Sequence, residues 1–228
     1  MPVVAAAVCP HPPIIVPELA FGAASELDSL RAACLKAVDA LSSADRVVIV
    51  GSAPASATYD AATGGSFGPY GAREVRIGPG APVLPLSLTV GGWLLEQSQA
   101  VALPRSYVAV TVDETPSHCL ALGEEIAAGN ERVGLLVMGD GSARRSDHAP
   151  VHLHPRAEIF DVTVAKALQD MDLEVLATLD PDLASVLQAA GRAPWQVLAG
   201  AAEGAALSGR LLYDAAPYGV GYFVASFT

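Results

Sequence analysis

The hydrophobic positions of the chain fall into two periods. Val3 to Val8 is an unbroken apolar run of strand length, and Arg46 to Val50, Tyr107 to Val112 and Val133 to Met138 are nearly so. Such runs mark strands buried on both faces. Between them the spacing changes to three and four. Leu27, Leu30, Ala33 or Cys34, Ala37 or Val38 and Leu41 predict a helix over 25–41, opened by Ser25 with Asp28 three residues on. The same spacing predicts helices over 89–100 (Trp93 and Leu94 inward), 117–128, 157–171, 181–190 and 195–203. Two final strands are predicted at 210–213 and 218–226.

Punctuation separates these segments. Pro10, Pro12, Pro13 and Pro17 cannot continue a sheet, because proline removes ladder donors, so 9–17 is a loop leaving the C-terminal end of the first strand. Residues 51–82, rich in Gly, Ala, Ser and Pro, read as a long irregular stretch, and 139–155 as a second loop. The strand–loop–helix–strand order predicts right-handed parallel crossovers. The alternation as a whole predicts one α/β domain over residues 1–228, a three-layer α/β/α arrangement around a mostly parallel central sheet. In such sheets ligands bind beyond the carboxyl ends of the strands. The loops after Val8, Val50, Val112 and Met138 would converge there.

Composition narrows the function classes. The 228 residues are 52% hydrophobic and 16% charged, with a formal net charge of −11. That charge disfavours nucleic acid and anionic membranes, and no basic patch with interleaved aromatics is present. No apolar run approaches the ~20 residues needed to span a bilayer, and the proline-broken N-terminus has no basic segment before it. A cytoplasmic protein with no membrane association is expected. Cys9, Cys34 and Cys119 are odd in number and lack zinc-type pairing, so they read as reduced thiols. Cys9 is either a small buried apolar residue or part of the pocket lining.

Two regions carry candidate chemistry. His11 stands between prolines just past a strand end, where a stiff loop would present an imidazole as metal ligand or general base, or simply pack it in the turn. The second region holds Asp140, Arg144, Arg145, Asp147, His148, His152 and His154. His148 and His152 have the spacing of a helical metal pair, but Pro150 and Pro155 interrupt any helix, while His152 and His154 would share one side of an extended segment. This region is either a metal site or a solvated polar loop. His118, after Pro116, is a helix-start residue. There is no Gly-Lys-Ser/Thr phosphate loop and no Gly-x-Ser-x-Gly elbow, and Gly51-Ser52 has no assignable acid–His partners.

Several segments, taken in order, resemble one family. Val3 to Glu18, with Cys-Pro-His-Pro-Pro-Ile-Ile-Val-Pro-Glu, is similar to the N-terminus of the class III extradiol ring-cleavage dioxygenase catalytic subunit (LigB-type). Leu135 to Ser142, Leu-Leu-Val-Met-Gly-Asp-Gly-Ser, resembles that family's Gly-Asp-x-Ser-His segment. Pro155 to Asp161 resembles the stretch that follows it, and Pro217 to Tyr222 the terminal strand. The related Memo-type branch is similar around Gly191-Arg192-Ala193-Pro194. The resemblance implies an α/β fold, a non-haem Fe(II) held by two His and one Glu, and a further His that moves protons.

Carried over residue by residue, His11 matches the first ligand. Gly51-Ser52-Ala53-Pro54 stands where the second His is expected, Ala143 where the proton-handling His is expected, and Ala190 to Ala193, with Arg192, where the Glu is expected. Cys9, Pro12, Ser52, Ser142 and Arg192 are placed around the pocket. The expected function is that of a divergent extradiol dioxygenase-like protein without ordinary ring cleavage, binding or altering a small aromatic or carbonyl compound. One alternative is an oxygenase or hydrolase whose Fe(II) or other divalent metal is held by His11 with Asp140, Asp60, His148, His152 or His154. Another is a metal-free enzyme pairing His11 with Cys9 or Asp140. Association into a homo-oligomer is compatible with all three.

Overall fold

A computed structural model describes residues 3–228. Its elements, in chain order, are β1 (Val3–Cys9), α1 (Pro17–Ala20), α2 (Asp28–Asp39), β2 (Arg46–Ala53), β3 (Ala57–Tyr59), β4 (Gly65–Phe67), β5 (Ala72–Ile77), α3 (Leu86–Glu96), β6 (Arg105–Thr111), α4 (Pro116–Ala127), β7 (Val133–Met138), α5 (Ala157–Asp170), α6 (Leu173–Ala177), α7 (Pro181–Leu187), α8 (Arg192–Ala201), β8 (Gly209–Ala215) and β9 (Tyr222–Phe227). Seven strands form one sheet in the order β3-β6-β2-β7-β1-β9-β8, and β4 and β5 form a separate antiparallel pair. The central four strands, β6, β2, β7 and β1, are mutually parallel. Strand β9 runs antiparallel to β1, and β3 antiparallel to β6.

The unbroken apolar runs have their cause in the two faces of this sheet. Ala6, Val8, Val48, Val50, Leu135 and Val137 join one hydrophobic cluster with Phe160 of α5, Leu187 of α7 and Trp195 of α8. Their neighbours Ala5, Ala7, Cys9, Val47, Ile49, Leu136 and Met138 join another with Leu30, Cys34 and Val38 of α2 and Leu88 and Leu94 of α3. Alternate strand residues point to opposite faces, and here both faces are covered. No described helix is long and apolar enough to cross a membrane.

Small residues let the helices come close. A Cβ on Gly91 would lie 2.7 Å from Ile49, and one on Gly200 of α8 would lie 2.1 Å from the Leu120 carbonyl oxygen of α4. The register also fixes where the site can be. Cys9 and Gly51 both pair with Met138, so β1 and β7 end at one level, while β2 runs on to Ala53 beside β6.

Two expectations need correction. The helix expected from Ser25 begins at Asp28, after a 3-10 turn over Phe21–Leu27, and its cap residue Leu27 offers no side-chain acceptor. Ser25 lies inside that turn, where its carbonyl accepts the Asp28 N–H, so it does not cap the helix. The stretch 51–82 is not structureless either: it carries β3, β4 and β5. Strand β3 pairs with the distant β6, and β4 and β5 pair with each other inside a Gly- and Pro-rich stretch whose composition hides them.

Candidate functional site

The prolines around His11 do what the sequence suggests. Pro12 and Pro13 lead into a single 3-10 turn over Pro13–Ile15, closed by the Ile15 N–H on the Pro12 carbonyl at 3.0 Å. His11 is held in this rigid loop, 8% exposed, and Pro12 is buried beside it. On the adjacent strand end, the Gly139 N–H donates to the Cys9 carbonyl at 2.9 Å, continuing the β1–β7 ladder past its last paired residues. This brings Asp140 to His11. The His11 backbone N–H donates to Asp140 Oδ1 at 2.8 Å, and the imidazole Nδ1 lies 3.7 Å from the same oxygen. Nδ1 is sealed from solvent and has no hydrogen-bond partner. Nε2 is thus the ring nitrogen left for a ligand, with a carboxylate behind the ring. A His so placed can accept a proton from a ligand at Nε2.

The loop carrying Asp140 is pinned from below by a residue the sequence reading passed over. Asp161, in the first half of α5, is fully buried. Its carboxylate accepts the Ser142 N–H at 2.8 Å and pairs with Arg145 at 3.0 Å. Burial is the largest influence on it and raises its pKa to about 6, against the opposing pull of Ser142 and Arg145. Two glycines make this approach sterically feasible: a Cβ on Gly141 would lie 2.8 Å, and one on Gly221 2.2 Å, from the Asp161 carboxylate oxygens. The same glycines bond each other's strands, Gly141 N–H to the Gly221 carbonyl at 2.7 Å and Gly221 N–H to the Ser142 carbonyl at 2.9 Å. The sequence signals for this arrangement are the segments Gly-Asp-Gly-Ser, Pro155 to Asp161 and Tyr-Gly-Val-Gly-Tyr, all of them through the family resemblance.

The positions where the family pattern calls for iron ligands are built for packing. A Cβ on Gly51 would sit 2.5 Å from Ser87 Oγ, and that hydroxyl donates to the Ser52 carbonyl at 2.6 Å. Helix α3 therefore fills the space that a side chain at position 51 would need. At the third position, a Cβ on Gly191 would lie 2.2 Å from the Trp195 ring. Arg192 is 1% exposed and spends its guanidinium on the Val112 and Glu114 carbonyls and on Gln196 Oε1. Among the described residues no group of three or more His, Cys, Asp or Glu is arranged to hold a metal ion. The residues present do not fit the iron centre that the resemblance implies.

The other residues expected at the pocket separate into framework and surface. Cys9, Ser142 and Arg192, expected around the pocket, are instead sealed in the packing. Ser142 Oγ donates to the Leu187 carbonyl and accepts the Arg144 N–H. Cys34 lies beside Cys9, and its thiol is raised well above its ordinary value, by burial first and then by Cys9. Ser52 is 9% exposed at the end of β2. The three histidines of the 139–155 loop do not join His11 in a metal cluster. His148 and His152 are exposed, and His154 turns its Nδ1 to the Arg156 N–H at 3.2 Å at the entry to α5. Asp60 closes a local turn by accepting the Ala62 N–H at 3.0 Å and the Thr63 hydroxyl at 3.0 Å. His118 sits in the first turn of α4 as expected, with its N–H capped by Thr115.

A cavity of about 410 Å³ opens beyond the C-terminal end of β6, between Val112 and Asp113 on one side and Ala184 to Ala190 on the other. Its Ala190 wall runs directly into Gly191, whose N–H donates to the Asp140 carbonyl at 2.8 Å. Neither His11 nor Asp140 lines this cavity, which lies to one side of the pair.

No protein-family profile matches the chain, and no curated protein matches it in sequence. Among solved structures it is similar to the crystal structure of the uncharacterized protein JW3007 from Escherichia coli K12, with a TM-score of 0.59 at 15% identity over 98% of both chains. At that identity the likeness is one of fold.

Proposed function

We propose that the chain is a divergent extradiol dioxygenase-like (LigB-type) protein whose pocket binds a small aromatic or carbonyl compound and has exchanged iron-dependent ring cleavage for metal-free acid–base work at His11. The three-layer α/β/α arrangement belongs to this reading, and the separate clusters on the two sheet faces support it. The observation that carries the proposal is the donor set. His11 has one carboxylate beside it, Asp140, and no third His, Cys, Asp or Glu donor among the described residues. Two ligands of this kind leave Fe(II) largely to water, because resident divalent ions in catalytic sites are held by three or more protein ligands.

The metal-free alternative divides on burial. Cys9 is fully buried in β1, whereas Asp140 keeps its carboxylate against the imidazole, so Asp140 is the partner. Ser142 is no nucleophile either, since its Oγ is committed to the Leu187 carbonyl.

The test is oxygen consumption. The purified protein is incubated anaerobically with Fe(II), then given 3,4-dihydroxybenzoate and air. Uptake equal to that of the Fe(II) buffer, and unaffected by His11→Ala, is expected. Uptake well above buffer that His11→Ala abolishes would contradict the proposal.

A further inference from the structure

Strand β9 brings a third group to the pair. Its antiparallel register with β1 sets Ala6 opposite Phe227, Ala7 opposite Ser226 and Val8 opposite Ala225. That register stops at Val8 and Ala225, and β1 itself stops at Cys9, so Tyr222, the first residue of β9, lies beyond the paired part, on the side where the chain leaves for His11. A separate bridge brings Tyr222 toward Asp140, the residue that holds the His11 N–H. The Gly141 and Gly221 backbones bond across a short bridge, so the residues flanking it, Asp140 and Tyr222, come together at the next step. Tyr222 is 3% exposed and belongs to the same face of the sheet as Cys9 and Met138. Burial raises the phenol above its ordinary pKa, and the Asp140 carboxylate pushes it the same way. The hydroxyl therefore keeps its proton across the working range and can only donate or accept a neutral hydrogen bond.

The set is then an imidazole backed by a carboxylate and a neutral hydroxyl donor, with no free nucleophile among them. This is the equipment for proton abstraction next to a carbonyl. We infer that Tyr222 completes the His11–Asp140 site and that the site takes a small enolisable carbonyl compound, with Tyr222 donating to its oxygen while His11 removes a proton from the adjacent carbon. The inference rests on the acid–base reading of His11 given above. In the step, the C–H bond breaks and its electron pair becomes the C=C bond of the enolate. The carbonyl π pair moves onto oxygen, where the Tyr222 O–H stabilises it. The proton resides on Nε2, with the Asp140 carboxylate 3.7 Å from Nδ1, until it returns to carbon or oxygen. Nothing is oxidised, and no co-reactant is consumed.

The probe is phenylacetone, a neutral aryl ketone, in D₂O, with exchange of its benzylic protons followed by proton NMR. The wild-type protein is expected to accelerate exchange over buffer containing the same concentration of imidazole, and His11→Ala to abolish the acceleration. Tyr222→Phe should lower the rate about 100-fold, mainly in kcat with KM little changed, because the bond strengthens as the oxyanion forms. A folded Tyr222→Phe protein that exchanges at the wild-type rate would show that Tyr222 is only core packing. Absence of exchange by the wild type would overturn the carbonyl assignment while leaving the oxygen-uptake result to decide the metal-free reading by itself. If Tyr222→Phe fails to fold, replacement of Tyr222 by 3-fluorotyrosine keeps the hydroxyl and makes it more acidic. A rate unchanged by that replacement would equally remove Tyr222 from the site, and an altered rate would support it.

Discussion

Arg192 and Asp161 are buried charges with opposite consequences. Arg192 holds the carbonyls of Val112 and Glu114 at the start of the β6–α4 connection. Arg192→Met should strand those acceptors and cost about 3 kcal/mol in denaturant-induced unfolding. Unchanged stability would instead make Arg192 part of the pocket wall. Asp161 titrates near 6 in the folded protein, against an ordinary 3.8. Its folded pKa is raised, so the native state binds the proton more tightly than the unfolded chain does. Its contribution to stability therefore grows as pH falls through 6 and levels off below about 4. At about 1.4 kcal/mol per pH unit, wild type should gain on the order of 3 kcal/mol relative to Asp161→Asn between pH 7.5 and 4. Parallel stability curves for the two proteins over that range would show that Asp161 is not so perturbed.

At the scale of elements, close approaches through glycine do most of the placing. Helices α4 and α8 meet backbone to backbone at Gly200 and Leu120. Gly200→Ala should therefore cost roughly 1–3 kcal/mol, read as a lower denaturation midpoint with an unchanged slope. A change under about 0.5 kcal/mol, the range of a neutral surface substitution, would mean that the two helices separate freely. The sequence made the long periodic elements legible: Val133 to Met138 is a strand to the residue, and the helix expected over 157–171 ends one residue early, where Met171 adopts a left-handed conformation. It did not reveal β3, β4 and β5: β3 and β4 are three residues each and carry no period of their own, and β5 alternates only loosely, in a separate two-stranded pair. Helix α6 (Leu173–Ala177) was missed for the same reason, being a single turn and a half capped by Asp172.

For the molecule as a whole, the parallel sheet sets the location of the site and the side chains around its crest set the chemistry. His11 was legible because two prolines and a strand end single it out. Asp140 was visible only as one acid among several in a polar loop; the β1–β7 ladder, continued through Gly139, is what delivers it to the imidazole. Asp161 and Tyr222 were hidden, since each acts through contacts with residues far away in the chain. The same sheet brings Gly51 and Gly191, where the family pattern needs ligands, against Ser87 and Trp195. Metal analysis of protein purified without chelator, beside His11→Ala prepared identically, tests this arrangement most directly. Iron and zinc far below one equivalent in both proteins is the expected result. One equivalent of Fe(II) in the wild type, lost when the imidazole is removed, would contradict it.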